Sequence, residues 1–171
     1  MLLKTLPGND TRPTTDMIKE TLFNMINFDI PGASFLDLFA GSGAIGIEAL
    51  SRGASRAVFV DNNPKATDVI RDNLEHTHFT EKAQVITSDA ASSLRRISGS
   101  FDIVFMDPPY DLGLEDTVLR ILHDSGHITE DSTVIVEMSA KADTEHFEAL
   151  GYEVVRIKNY KTNKHVFLRR S

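Results

Sequence analysis

Phe35-Leu36-Asp37-Leu38-Phe39-Ala40-Gly41-Ser42-Gly43-Ala44-Ile45-Gly46 reads as a buried strand that runs into a glycine-rich turn and then a helix. Gly41 and Gly43 permit a tight turn and a close backbone approach to a ligand, and Gly46 lets the helix lie close on the sheet. The letters match the G-x-G-x-x-G fingerprint, and an acid, Asp61, stands twenty positions after Gly41. By itself this pattern marks a nucleotide cofactor without separating NAD from S-adenosylmethionine (SAM).

Outward from this stretch, strand and helix patterns alternate. Strands are expected at Ser34–Phe39, Ala57–Val60, Gln84–Thr87, Phe101–Met106 and Thr133–Glu137. Helices are expected at Gly43–Arg52, Pro64–His76, Ala90–Arg96, Leu114–His123 and Thr144–Leu150, the last ended by Gly151. Upstream, Pro13-Thr14-Thr15-Asp16 opens a helix striped by Ile18, Leu22, Phe23 and Ile26. The tail breaks the alternation: Tyr152–Ile157 and His165–Arg169 predict an antiparallel hairpin joined through residues 159–163. The pattern implies an α/β fold, a mostly parallel sheet with helices on both faces and a closing hairpin. A ligand in such a sheet binds beyond the carboxyl ends of the strands.

A second motif, Asp107-Pro108-Pro109-Tyr110, follows the apolar run Ile103-Val104-Phe105-Met106. Two prolines fix φ and hold the backbone extended as it leaves the sheet. The Asp carboxylate and neighbouring carbonyls can then accept hydrogen bonds in a set geometry, beside a flat tyrosine ring. That combination suits the exocyclic amine of a planar base. Asp37, Asp61, Asp89 and Asp107 fall at or near the ends of four successive strands, so four acids gather along one edge. A cofactor with a positive sulfonium, an amino group and ribose hydroxyls gives them a purpose. Asp61 suits the ribose hydroxyls, Asp89 the adenine amine, and Asp37 with the glycine turn the methionine end. Together with Asp107 these residues favour SAM over NAD.

The chain has 171 residues, a length that predicts one domain. It has no cysteine, which removes disulfides, thiol nucleophiles and Cys-based zinc sites. No apolar stretch is long enough to span a bilayer, and Met1–Asp10 lacks the apolar core of a signal peptide. A cytoplasmic location is the resulting expectation, with no membrane partner. The net charge of −7 argues against a general nucleic-acid binder. It leaves room for a local basic face, for which Lys158, Lys161, Lys164, Arg169 and Arg170 cluster near the C-terminus and Arg12, Lys19, Arg52 and Arg56 lie near the first motifs. His76, His78, His123 and His127 read as loop and helix-end residues, and no metal site is expected.

Taken together, Arg12-Pro13-Thr14-Thr15-Asp16, Leu22-Phe23-Asn24, Asp37–Gly43, Glu48-Ala49-Leu50-Ser51-Arg52-Gly53-Ala54 and Asp107–Tyr110 resemble the RsmD-type 16S rRNA guanine-N2 methyltransferases. The resemblance runs from about residue 4 to the end. It implies a Rossmann-like class I SAM-dependent methyltransferase fold with seven strands. It implies SAM as donor, leaving S-adenosylhomocysteine, and the N2 amine of a guanine in 16S rRNA as acceptor, within a small subunit or an assembly intermediate. Carried over, Asp37, Phe39, Gly41, Ser42 and Gly43 form the cofactor loop; Asp61 with Asn62 takes the ribose side and Asp89 with Ala90 the adenine side. Asp107, Pro108, Pro109 and Tyr110 form the catalytic motif. Residues 12–28 match the segment that closes over the cofactor, with Thr15 toward the cofactor, and Arg12, Thr14, Tyr110 and Lys161 toward RNA. Family members begin with a hairpin rich in Gly, Arg and Lys, so residues 1–11 are expected to be its remnant. A monomer is favoured.

The expected chemistry is direct displacement: a guanine leaves its stack, lies against Tyr110, and offers its N2 hydrogens to Asp107 and the Pro108 carbonyl. Other acceptors remain open, namely adenine N6, cytosine N4 or a protein glutamine. Less favoured are an NAD-dependent oxidoreductase, for which no histidine is well placed, and a non-catalytic RNA-binding module.

Overall fold

Seven strands form one sheet in the order β3-β2-β1-β4-β5-β7-β6 in the computed structural model, which describes residues 3, 4, 16–110 and 112–171. The strands are β1 (Ser34–Leu38), β2 (Arg56–Asp61), β3 (Ala83–Thr87), β4 (Ile103–Met106), β5 (Thr133–Ser139), β6 (Tyr152–Asn159) and β7 (Asn163–Arg170). Strands β1 to β5 pair in parallel, and β7 pairs antiparallel with both β5 and β6. Their apolar residues run continuously because helices cover both faces. The helices are α1 (Asp16–Ile26), α2 (Ala44–Ser51), α3 (Pro64–Thr77), α4 (Ala90–Ser93) and α5 (Leu114–His123).

Alternate residues of β1, β2, β4, β5 and β7 feed two cores. On one face Phe35, Phe59, Phe105, Ile135 and Phe167 pack under Leu22 and Phe23 of α1, Ile47 of α2 and Ile70 of α3. On the other Leu36, Val58, Val104, Val134 and Leu168 pack under Leu94 and under Val118 and Leu122 of α5. The strand order reverses between β1 and β4, where Leu38 is the register partner of Met106. The glycine turn and the Asp-Pro-Pro-Tyr segment therefore leave the sheet side by side.

Two of the expected helices need correction. Thr144–Leu150 is not a helix: Glu145–Phe147 makes a 3-10 turn, and Leu150 N–H and Gly151 N–H also bond three residues back, to Phe147 and Glu148 carbonyls. The segment has one buried side chain, Phe147, and Thr144 makes no side-chain cap bond, whereas the short α4 is capped by Asp89 and buries Ala90 and Ser93. The short helix expected to reach Arg96 stops as an α-helix at Ser93, and the chain turns on tighter bonds from Arg95 and Arg96 to Ser92 and Ser93 carbonyls.

The C-terminal basic cluster also splits. Lys164 pairs with Asn159 near one end of the hairpin, whereas Arg170 pairs with Tyr152 at the other. Six strand steps put roughly 20 Å between them. Lys164 is buried and its Nζ donates to the Ala142 carbonyl, and Arg170 Nε donates to the His123 carbonyl. Near the first motifs, Arg52 and Lys19 pair with Glu48, and Arg56 bonds Ser34 Oγ under the far edge of the sheet. These cations are structural. His76 and His78 do sit at the end of α3, His78 as its left-handed cap. His127 is buried rather than a plain loop residue, with its ring nitrogens 2.7 and 2.6 Å from the Gly99 and Leu94 carbonyls.

Candidate functional site

The turn after β1 is held by acids that reach it from the strand ends. Phe39 takes φ 58°, a left-handed conformation costly for a bulky residue, and Gly41 and Gly43 follow with φ 59° and 82°. Gly43 caps α2 and has no side chain with which to do so. Asp37 supplies the missing acceptor from within β1: its Oδ2 takes the Gly46 N–H at 3.0 Å. A Cβ on Gly46 would lie 2.4 Å from the Phe59 ring and 3.2 Å from that carboxylate, so only glycine fits the contact. Asp61, at the end of β2, accepts from Gly41 N–H through Oδ2 at 2.9 Å and from Asn63 N–H through Oδ1 at 3.0 Å. Buried Asn73 of α3 donates to the Ser42 carbonyl and braces the turn from outside.

Electrostatically, Asp37 is the outlier. Burial lifts its carboxyl well above the ordinary carboxylate range, against the Gly46 hydrogen bond, and the nearby charges of Asp61 and Asp107 push the same way. Asp89 is held below the ordinary range because it caps α4, accepting from Ser92 N–H at 2.9 Å. Asp61 keeps acceptor capacity beyond its two backbone bonds, since a carboxylate offers about four lone-pair sites.

A cavity of about 160 Å³ opens between the ends of β1 and β2 and helices α4 and α5. Phe39, Asp61, Asn62, Asp89 and Ala90 line it, as the sequence reading proposed for one cofactor site. The opposite wall, Leu114, Thr117 and Val118, comes from α5 and was not anticipated. Those residues belong to an amphipathic stripe, and nothing in the stripe separates a pocket wall from core. The strained Phe39, the apolar wall and the rim acids fit an adenosine-like group: a flat apolar moiety with hydroxyls and an amine at its edge. Asp37, Gly41, Ser42 and Gly43 lie in the adjoining turn.

Asp107 follows Met106 at the end of β4, half-buried, with Pro108 buried and Tyr110 half-buried. Its charge is close enough to Asp37 to act on it. The structure thus brings Asp37, Asp61 and Asp107 to one lip, and Asp89 to its outer side. Lys161 stands exposed at the tip of the β6–β7 hairpin. Arg12, Thr14 and Thr15, with the rest of residues 5–15, lie outside the described residues. Glu137 and His165, both buried on the face that carries Asp107, were also missed, because isolated polar letters in apolar strands give no periodic signal.

The family described as Conserved hypothetical protein 95 matches residues 1–169. YlbH of Bacillus subtilis, an rRNA methyltransferase by name, is 42% identical over 139 residues, 79% of this chain and 75% of the relative. Ribosomal RNA small subunit methyltransferase D of Escherichia coli K12 is 40% identical over 126 residues, 74% of this chain. That match spans 63% of the relative's own length, under two thirds of it. Among solved structures, yhhF of Escherichia coli, a methyltransferase by name, superposes with a TM-score of 0.84 at 32% identity, covering 99% of this chain and 91% of that one.

Proposed function

Because the chain belongs to the RsmD family of class I methyltransferases, we propose that it is a SAM-dependent enzyme that methylates ribosomal RNA, with the N2 amine of a guanine in the small subunit as acceptor. The observation that carries this reading is the register of β1 and β4: Leu38 pairs with Met106, so the glycine turn and Asp107 emerge as neighbours. A cofactor loop and an amine-accepting motif are then within reach of one another. Within this reading the cofactor's rim contacts are Asp61 and Asn62 at the ribose and Asp89 and Ala90 at the adenine, with Phe39 beneath. Asp37, Gly41, Ser42 and Gly43 face its methionine end, and Thr15 closes over it. When bound, SAM supplies a methyl group on a positively charged sulfur.

The chain's own residues do the rest by placement. Tyr110 offers a face for the flipped base; flipping costs a few kcal/mol and stacking returns roughly 1–3 kcal/mol. Asp107 and the Pro108 carbonyl accept the two hydrogens of the amine and aim its lone pair toward the donor. Misplacement by about 1 Å costs roughly a hundredfold in rate, so positioning is the main effect. Arg12, Thr14 and Lys161 are assigned to the RNA backbone.

Asp107→Ala tests the reading. SAM affinity by calorimetry stays within about twofold, while transfer of labelled methyl to unmethylated small subunits falls by more than about a hundredfold. Full activity in that variant rejects it. Running naked rRNA and assembled subunits in parallel, with mapping of the modified position, separates guanine N2 from other amines.

A further inference from the structure

A buried polar chain that the proposed chemistry does not use lies next to Asp107. Val136 of β5 is the register partner of Met106 of β4; Glu137 is the next residue of β5, and Asp107 is the first residue after β4. Glu137 is also the register partner of His165 on β7. Both are almost fully buried, at 2% and 0% exposure, and His165 Nε2 lies 2.7 Å from Glu137 Oε1. The other ring nitrogen, Nδ1, lies 3.1 Å from the Tyr160 hydroxyl at the hairpin tip. Edge contacts complete the packing: the His165 ring meets Tyr160 at 5.0 Å and Phe105 at 5.8 Å, both near perpendicular.

The direction of the chain follows from its donors. A carboxylate only accepts, so a ring with a single proton carries it on Nε2 and takes the Tyr160 hydroxyl hydrogen at Nδ1. Burial raises the Tyr160 phenol to about 12, with the Glu137 charge adding to the effect, so the hydroxyl keeps its proton. The tip is fastened further by Tyr160 N–H to the Asn163 carbonyl, Ala140 N–H to the Thr162 carbonyl and Lys164 Nζ to the Ala142 carbonyl. The tip is thus tied to the end of β5, the strand that neighbours β4.

We propose that His165 is a positioning residue for the acceptor: through Tyr160 it holds the β6–β7 tip as a rigid wall of the slot in which an amine faces Asp107. This rests on the methyl-transfer reading above. Tyr160 and Lys161 are consecutive on that wall and have separate tasks. The Tyr160 ring limits where the base can lie, and the Lys161 ammonium meets a phosphate outside the slot.

Tyr160→Phe is the informative variant, since it keeps the ring and deletes only the hydroxyl. The expected result is a kcat about tenfold lower, with Tm, SAM affinity and the KM for small subunits each within about twofold of the unsubstituted chain. Lys161→Ala is expected to do the reverse, raising KM and sparing kcat. Nitrogen-15 NMR of the histidine rings in the intact chain at pH 8 gives a readout independent of activity: His165 shows the Nε2-protonated tautomer, and Tyr160→Phe shifts its Nδ1 signal. A Tyr160→Phe chain with unchanged kcat, a joint fall in Tm and SAM affinity, or an Nδ1-protonated His165 overturns the inference while the methyl-transfer reading stands. An unsubstituted chain that neither binds SAM nor transfers methyl overturns both.

Discussion

At the scale of single residues, Asp37, Asp61 and Asp89 each hold backbone N–H groups at the strand ends. Asp61 fixes Gly41 N–H and Asn63 N–H, which orients its remaining lone pairs outward. Hydrogen bonds to a charged group are worth about 1.5–3 kcal/mol each. Asp61→Ala is therefore expected to weaken SAM binding by about 10- to 100-fold in calorimetry while the chain still melts cooperatively; unchanged affinity would remove Asp61 from the cofactor site. Gly46 carries a different constraint. Its neighbours are the Phe59 ring and the Asp37 carboxylate, neither the free end of a flexible chain, so an added methyl must push both. Overpacking of this kind costs about 1–3 kcal/mol. Gly46→Ala should lower the urea midpoint and disturb the α2 cap, whereas Gly32→Ala, with open space around its Cβ position, should cost only the strain of its positive φ.

At the scale of elements, α2 depends on β1 for its N-terminal acceptor. The Asp37 carboxyl titrates above its ordinary value of 3.8 because it is buried. Linkage fixes the sign: a carboxyl raised on folding adds stability below its unfolded pKa and loses that contribution as pH rises through the folded value. Asp37→Asn keeps an oxygen for Gly46 N–H and removes the titration. The stability of the unsubstituted chain minus that of Asp37→Asn should thus fall as pH rises above the ordinary carboxylate value of 3.8, measured by urea denaturation at several pH values; a difference that rises would reverse the assignment. This link between β1 and α2 was half legible. Asp37 and the glycines stood out as letters, but Asp37 was assigned to a ligand, and its capping of Gly46 needs the strand and helix in contact to be seen. Asp89 is the same case, since any acid before a short helix can cap it. The alternating units and the terminal hairpin were readable because period-2 and period-3.6 patterns are local. The segment 144–150 misled because a lone buried Phe147 and an uncapped start do not separate an α turn from a 3-10 turn in the letters. The Glu137–His165 pair was invisible because strand register, which joins residues 28 positions apart, is set by tertiary packing.

At the scale of the whole molecule, an acidic chain meets a polyanion. The net charge of −7 is spread over a structure whose lip already carries Asp37, Asp61 and Asp107. The division of the C-terminal basic cluster sharpens the problem. Lys164, Arg170, Arg52, Lys19 and Arg56 are all engaged within the fold, which leaves a few exposed lysines near the strand ends: Lys65 after β2, Lys141 after β5 and Lys161 at the hairpin tip, with Lys158 one hairpin side away. Weak general attraction with few phosphate contacts predicts a shallow salt dependence of RNA binding. Each neutralised phosphate contributes a slope of about −0.7 to −0.9 in log K against log salt. The unsubstituted chain should bind naked rRNA weakly, with a slope of only a few units, and Lys161→Ala should reduce the slope by just under one unit without changing which nucleotide is modified. Filter binding between about 50 and 200 mM salt measures it. Because so little of the affinity is then electrostatic, recognition must come from the shape of a folded particle, and assembled small subunits should outcompete naked rRNA at every salt concentration. A steep slope on naked rRNA, or equal methylation of naked rRNA and subunits, would show that more cations than these carry the docking.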